Sequence, residues 1–532
     1  MGRMSPSSSR AERFSLGAIL VVAALLRFHH LEALPPAHYR DVALTAIDAL
    51  RAASGHPCLY YTYDEGLYAN LMGFLFLLFG ASDWMVRAPG ALFGVLTCLG
   101  LYRLGRAFGL PRAGLYGAAL LAVSFWHLVL SRSGFRAILL PLLLVEAFAL
   151  LREALRGGRG ARAGVAGMLF GLGIHVYPAA RVAPLILPFY LLAEFGFDRR
   201  AWLAARRPVV GFLLGAFIVA APMLLHYVHH PEHVTLPRRN LTIWSPLFDK
   251  SRLWPELGHN LVATALMFHL RGDENWRHNL PGSPMLDPLT GALLLLGGAV
   301  ALRSLWRTAD RPGGAADRPG SATDSETPRP LAWLLAAWVP VMLLPNILSV
   351  EGVPHALRSS GVLPALMLLA GLGLERVERI LGRGLPRRLT AALISSALVL
   401  LGAVTAHRYF DTWGGDARMV AAHDGAYRAA ARLLMTAPPE EAFLLTNGLG
   451  LRSHGQPAEV QVYLFEMRDR PPTLIGPRDA DRLVLGGRRA LVAFVRRDEG
   501  AVAAIRRLNP GASLAEITAS DLSSESPVYQ VN

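Results

Sequence analysis

The chain has 532 residues, 53% of them hydrophobic, and a mean hydropathy of +0.35. That is too apolar for an ordinary soluble enzyme and reads as a polytopic membrane protein. The formal charge of +14 comes almost wholly from arginines set beside apolar stretches, with Lys250 the only lysine, so topology explains it and no nucleic-acid partner is expected.

The first apolar stretch, about 14–33, runs into Phe28-His29-His30-Leu31-Glu32 and lacks a small-residue cleavage site. It reads as a retained anchor. Ten further stretches are long enough to span a bilayer, near 84–105, 113–131, 137–155, 163–178, 181–197, 208–228, 287–304, 331–349, 359–376 and 389–408. The apolar segment 67–79 is short and reads as an interfacial helix or a twelfth span. Arg3, Arg10 and Arg13 precede the first span, and arginines fill every alternate loop thereafter, which predicts a cytoplasmic N-terminus. On that topology the Pro/Gly-rich stretch 310–330 is a disordered cytoplasmic linker.

The outer side then carries segment 35–84, the long loop 229–288, the short loop 345–358 and the tail. The tail alternates helix-like stretches (421–434, 501–508) with strand-like ones (442–446, 490–495, 528–531), predicting a small α/β domain outside the membrane. The expected fold is therefore an α-helical polytopic domain over 1–410 followed by an extracytoplasmic α/β domain over 411–532. Cys58 and Cys98 fall in an outer loop and an apolar stretch, which argues against a disulfide.

Behind the first span, Asp41, Thr45 and Asp48 recur at helical i, i+4, i+7 spacing. The pattern predicts an interfacial helix whose acidic stripe faces a cavity or water; such a stripe serves chemistry or solvation equally well. A second acidic pair, Asp64-Glu65, lies among Tyr60, Tyr61, Tyr63 and Tyr68, most of which read as headgroup-belt aromatics. Arg132, Arg136, Arg181 (after Tyr177) and Arg358 break the inside bias at outer span ends. A cation there is costly unless paired, and four of them suggest a shared anion such as a lipid phosphate; headgroup binding by single arginines is the plainer alternative. The loop from Phe268 through His269, Asp273, Glu274, Arg277 and His278 to Asp287 is the densest polar cluster. His269, Asp273, Glu274 and His278 offer ligands for a divalent ion but match no metal motif, and a packed, hydrogen-bonded loop is the plainer reading of any one of them.

Together these features resemble the GT-C type membrane glycosyltransferases, closest to the family 39 group with its aminoarabinose-transferase-like and protein O-mannosyltransferase-like bacterial members. The resemblance rests on Asp41 soon after the first span, Gly55-His56-Pro57, Asp64-Glu65-Gly66-Leu67-Tyr68, Leu78-Phe79-Gly80-Ala81-Ser82 and Arg87-Ala88-Pro89. It covers the first outer loop and early spans best. Val42 departs from it, since many members carry Glu there after the Asp. The resemblance implies a polyprenyl-phosphate sugar donor, a lipid, glycan or protein hydroxyl acceptor, and inversion at the anomeric carbon. It implies Asp41 as general base, with Glu65 and Asp64 orienting the acceptor. Arg132, Arg136, Tyr177, Arg181, Arg277, His278 and Arg358 would bind the donor phosphate. A divalent metal ion is a further candidate, with Glu65 and His269 as ligands. The expected location is the inner membrane. A transporter or flippase of a lipid-linked substrate is the alternative, as is a catalytically silent homologue. A transporter places ionisable groups mid-span, and here Glu146 is the main such residue.

Overall fold

The computed structural model describes residues 6–235, 242–243, 245, 248–307, 327–448, 452–453, 455–519 and 521–532. Most of the linker expected over 310–330 lies outside the described residues. The chain divides into two compact units, one of Met1–His29 with Arg87–Trp413, the other of His30–Val86 with Gly414–Asn532.

The first unit is helical. Helices overlie the apolar stretches of the sequence in order, from Pro6–Phe28 to Arg387–His407. Among the described residues seven are long and apolar enough to cross a membrane, or eight if the bent pair Pro111–Ala122 and Phe125–Arg132 is one span. Some of the others are short, Gly160–Leu172 having 13 residues, while Pro6–Phe28 and Leu139–Gly157 are long enough but fall outside the set on apolar content or charge.

Close packing in this unit depends on small residues. Helix Gly160–Leu172 lies against Arg199–His229 so tightly that a Cβ on Gly215 would sit 2.1 Å from the Gly164 carbonyl oxygen, and one on Gly167 would sit 2.0 Å from that of Phe212. Lipid tails are as apolar as leucine, so membrane helices gain by letting backbones approach, and glycine permits it.

The bend between Pro111–Ala122 and Phe125–Arg132, 62°, is built by local capping. Pro111 opens the first helix, and the Ser124 Oγ accepts the His127 N–H to start the second. The break frees the last carbonyls of the first helix, which an apolar layer cannot hydrate. The buried Arg27 guanidinium donates to Ala122 O at 3.0 Å and Leu121 O at 3.3 Å, and lies 2.8 Å from His127 Nδ1. Glu146, the mid-span acid of the sequence, is paired with Arg103 at 2.5 Å. It reads as a neutralised structural charge.

In the second unit, strands β1 (Ala442–Leu445), β4 (Thr473–Ile475), β5 (Ala490–Phe494), β6 (Leu514–Ile517) and β7 (Val528–Val531) form one sheet in the order β4-β1-β5-β7-β6. The first three are parallel, and β7 pairs antiparallel with both β5 and β6, so it alone is reversed in this sheet. Between β1 and β4, β2 (Arg452–Ser453) and β3 (Gln456–Pro457) pair separately. Strand side chains alternate faces. Val492 and Phe494 of β5 pack with Val502 and Ile505 of helix Glu499–Leu508, while Ala493 packs with Ala430 and Leu434 of helix Gly425–Leu434. Helices thus cover both faces of the sheet, the α/β domain expected of the tail.

The segment after the first span folds onto this domain through ion pairs. Arg40 bonds Asp424 and Glu459, each at 2.7 Å, and Arg468 donates to Ala81 O at 2.9 Å. Arg428 bonds the Pro36 carbonyl and Asp83, and its Nε lies 3.2 Å from Glu466. Burial raises the Glu466 carboxyl above its ordinary range, Arg428 pulls it back, and Asp83 adds repulsion. Arg428→Ala should therefore leave two carboxylates facing each other without their cation, a loss of about 3–5 kcal/mol for this unit. Thermal melts of wild type and variant check it. The deficit should shrink as pH is lowered from 8, because the raised Glu466 takes up a proton earlier than an ordinary carboxylate.

Candidate functional site

In the first unit the polar loop after helix Leu253–Leu266 is organised around one buried acid. Asp273, 3% exposed, accepts the Asn275 N–H at 2.8 Å through Oδ1. Its Oδ2 accepts from the Ala356 N–H at 2.8 Å and lies 3.0 Å from His278 Nδ1. A carboxylate partner places the imidazole proton on Nδ1. The loop holding Asp273 is thereby tied to the loop at 350–358. The His278 ring lies 4.7 Å from that of His355 and edge-on to Phe135 at 5.5 Å.

Burial opposes ionisation of Asp273, yet its hydrogen bond and charge coupling to His278 hold its carboxyl below the usual range. Burial depresses His278, against the pull of Asp273, and Arg277 and Arg358 depress it further. His355 is held well below the ordinary imidazole range by burial, then by His278 and Arg358. Two guanidinium groups thus act on a pair of imidazoles that stay neutral at neutral pH. Arg277 is braced on Asn275 Oδ1 at 3.0 Å, and Arg358 on Ser349 Oγ at 2.8 Å and Glu351 O at 2.6 Å.

The other expected cations hold separate stations. Arg136, next to Phe135, lies over the Tyr177 ring at 5.6 Å, and Arg181 donates to the Tyr227 hydroxyl at 2.6 Å. Arg132 is fully buried, donating to Leu26 O and Arg27 O beneath the rings of Tyr409 and Phe410. Its surroundings make it a brace between helices.

The acids behind the first span belong to the second unit. Helix Arg40–Ala53 forms as its spacing predicts, but its acids do not share a wet face. Asp41 is exposed in the first turn, whereas Thr45 and Asp48 are 7% and 2% exposed, and Thr45 Oγ1 bonds back to Asp41 O. The expected acidic stripe reduces to Asp41, because the rest of the helix is core. Val42 is 2% exposed, so a carboxylate there would be buried.

Glu65 is buried at 2% in a tight turn where Tyr60 and Glu65 bridge, and Asp64 is half-buried with its carbonyl accepting the Tyr61 N–H. A Cβ on Gly66 would lie 2.1 Å from Cys58 O, so only glycine fits. The neighbouring tyrosines are not a headgroup belt. Tyr61 and Tyr68 are buried, Tyr60 bonds Tyr63 O, and Tyr63 bonds Arg452 O. These aromatics build the turn and anchor it to the sheet domain.

Three clusters among the described residues bring metal-ligating atoms together: Asp273 with His278 and His355, His38 with Asp83 and Glu466, and His230 with Glu232 and His233. In the first, the buried His355 Nδ1 lacks a hydrogen-bond partner, which suits a ligand. Both Asp273 oxygens already accept hydrogen bonds, however, and two guanidinium groups act on the cluster, so it fits an anion better than a cation. In the second, Arg428 already supplies the charge. His269 stands apart, its Nε2 3.2 Å from Gly291 O.

Sequence reasoning passed over Arg27, Arg40 and His355. A buried arginine inside an apolar stretch was the available signal for Arg27; nothing local marks the other two.

Residues 67–226 match the family described as Dolichyl-phosphate-mannose-protein mannosyltransferase. The fold matches the crystal structure of ArnT from Cupriavidus metallidurans bound to undecaprenyl phosphate, with a TM-score of 0.55 and 15% identity over 99% of this chain and 98% of that one. The chain shares the fold of this ArnT along almost its whole length. The apo form of the same ArnT matches at TM-score 0.56 and 14% identity, covering 98% of each chain. No curated protein matches. The family match takes in helix Leu67–Phe79 and runs to His226, so it spans Arg132, Arg136, Tyr177 and Arg181.

Proposed function

We propose that this protein is a GT-C type membrane glycosyltransferase that moves a sugar from a polyprenyl-phosphate donor to a hydroxyl acceptor at the outer face of the bacterial inner membrane. The family match over 67–226 carries the reading, and the ArnT that shares the fold is bound to undecaprenyl phosphate. The N-terminus is cytoplasmic and the α/β domain extracytoplasmic, as the arginine-rich alternate loops require. A donor carried by lipid phosphate needs cations where the phosphate departs. Arg277 and Arg358, held beside neutral His278 and His355, suit that task, as do Arg136 and Arg181 on their tyrosines. Arg132, beneath aromatic rings and bonded to carbonyls, supports the framework.

The acceptor hydroxyl needs a base within hydrogen-bond reach, and Asp41, exposed at a helix start, takes that role. Glu65 and Asp64 hold the turn beside it in sequence. A catalyst and a flippase separate in one assay. Purified protein with radiolabelled polyprenyl-phosphate sugars and candidate acceptors should release polyprenyl phosphate and label the acceptor. Movement of intact donor across proteoliposomes without release would instead identify a transporter.

A further inference from the structure

Helix Arg199–His229 ends in an unusual sequence, with histidines at 226, 229, 230 and 233 and Glu232 among them. His226 and His230 stand one helical turn apart. The chain then leaves the helix at His230, whose N–H still bonds His226 O at 2.8 Å, and Pro231 opens a short helix, Pro231–Thr235. That reversal brings His233 back onto His226, with Nδ1 and Nε2 2.9 Å apart. The rings of His226, His230 and His233 lie within 4.8 to 5.2 Å of one another. His230 Nδ1 lies 3.0 Å from Glu232 Oε1, and one ligand atom each from His230, Glu232 and His233 fall within 4.8 Å. His229 is turned away, its Nδ1 on Leu225 O at 2.8 Å.

We propose that His226, His230, Glu232 and His233 form a binding site for a first-row divalent metal ion of the zinc class. Imidazole nitrogens with one carboxylate oxygen suit zinc, nickel or copper ahead of magnesium or calcium. Zinc–nitrogen bonds of about 2.0–2.1 Å put tetrahedral ligand atoms roughly 3.3 Å apart, so the His226–His233 pair opens by only a few tenths of an ångström on loading. The site is partly exposed, which lets an ion enter. The bound ion ties the short helix to the long one. It sits beside Tyr227, whose hydroxyl holds Arg181, so loading also stiffens the support of that arginine.

The test uses the full chain in detergent, purified without a histidine tag and stripped with chelator. Cobalt(II) titration followed by visible absorption, with zinc content measured after gel filtration, should give one ion per chain. His230→Ala/His233→Ala should weaken binding by roughly a hundredfold and Glu232→Gln by about tenfold, while His229→Ala binds as wild type. Stoichiometry well below one, or unchanged affinity in the double variant, overturns the site. So does loss of binding in His278→Ala, which would assign the ion to the other histidine cluster. Should the double variant fail to elute as folded protein, Glu232→Gln and His233→Gln decide, and wild-type affinity in both overturns the site.

Discussion

Asp41→Asn should lower sugar transfer by about a hundred- to ten-thousandfold, the usual contribution of a positioned general base, while leaving the fold intact. The substitution is nearly isosteric, and the side chain it changes is exposed. The hydrogen bond that Thr45 makes in this turn goes to the Asp41 backbone oxygen, which asparagine retains. Loss should therefore fall on turnover, with donor binding and the melting temperature close to wild type. No neighbouring acid can take over, since position 42 is a buried valine. Glu65→Gln supplies the contrast. Glu65 is buried in the turn, so its loss should lower stability along with activity. Transfer by Asp41→Asn within threefold of wild type would remove Asp41 from the base role.

Much of the fold was legible because apolar length is a strong, local signal. Helices lie over the apolar stretches, and the tail shows the α/β alternation its patterning implied. Strands Thr473–Ile475 and Leu514–Ile517 escaped notice, since three or four residues at a sheet edge carry little hydrophobic period. The partnership of segment 30–86 with the tail was hidden for another reason. It is made by long-range ion pairs, Arg40 to Asp424 and Arg428 to Asp83, whose members lie more than 340 residues apart in sequence.

The candidate site was legible in residue types and less so in geometry. Spacing placed Asp41, Thr45 and Asp48 on one helix, but periodicity cannot tell which side of an amphipathic helix faces core, and two of the three turned inward. The loop from Phe268 to Asp287 stood out by density of polar groups. Which of them matter depended on His355 and the Ala356 N–H arriving from a loop some 80 residues later. His269 and Glu274, equal to Asp273 and His278 on paper, point elsewhere, Glu274 to the exposed Arg271.

Asp273→Ala should cost about 3–5 kcal/mol and abolish transfer with it, because it empties the centre of that loop pair. Removing the carboxylate strands the buried Ala356 N–H and His278 Nδ1 proton and the half-buried Asn275 N–H, and each buried stranded donor costs about 1–3 kcal/mol. It also removes the carboxylate that offsets Arg277 and Arg358 at His278 and His355. Asp273→Asn keeps one acceptor oxygen and should fall between wild type and alanine. The pH dependence gives a second readout. His278 and His355 have folded-state values below the unfolded one, so the unfolded chain binds more protons once pH drops beneath about 6.5. Wild-type stability from these two groups is full above that pH and is lost as pH falls toward their folded values. Asp273, depressed in the fold, adds a further loss only as pH passes below about 3.8. In Asp273→Ala the partner that favours the charged His278 is gone, so its folded value drops further and the acid-side decline extends to lower pH. Melting curves from pH 8 to pH 4 measure this directly, and parallel curves for wild type and variant would show that Asp273 and His278 are not coupled.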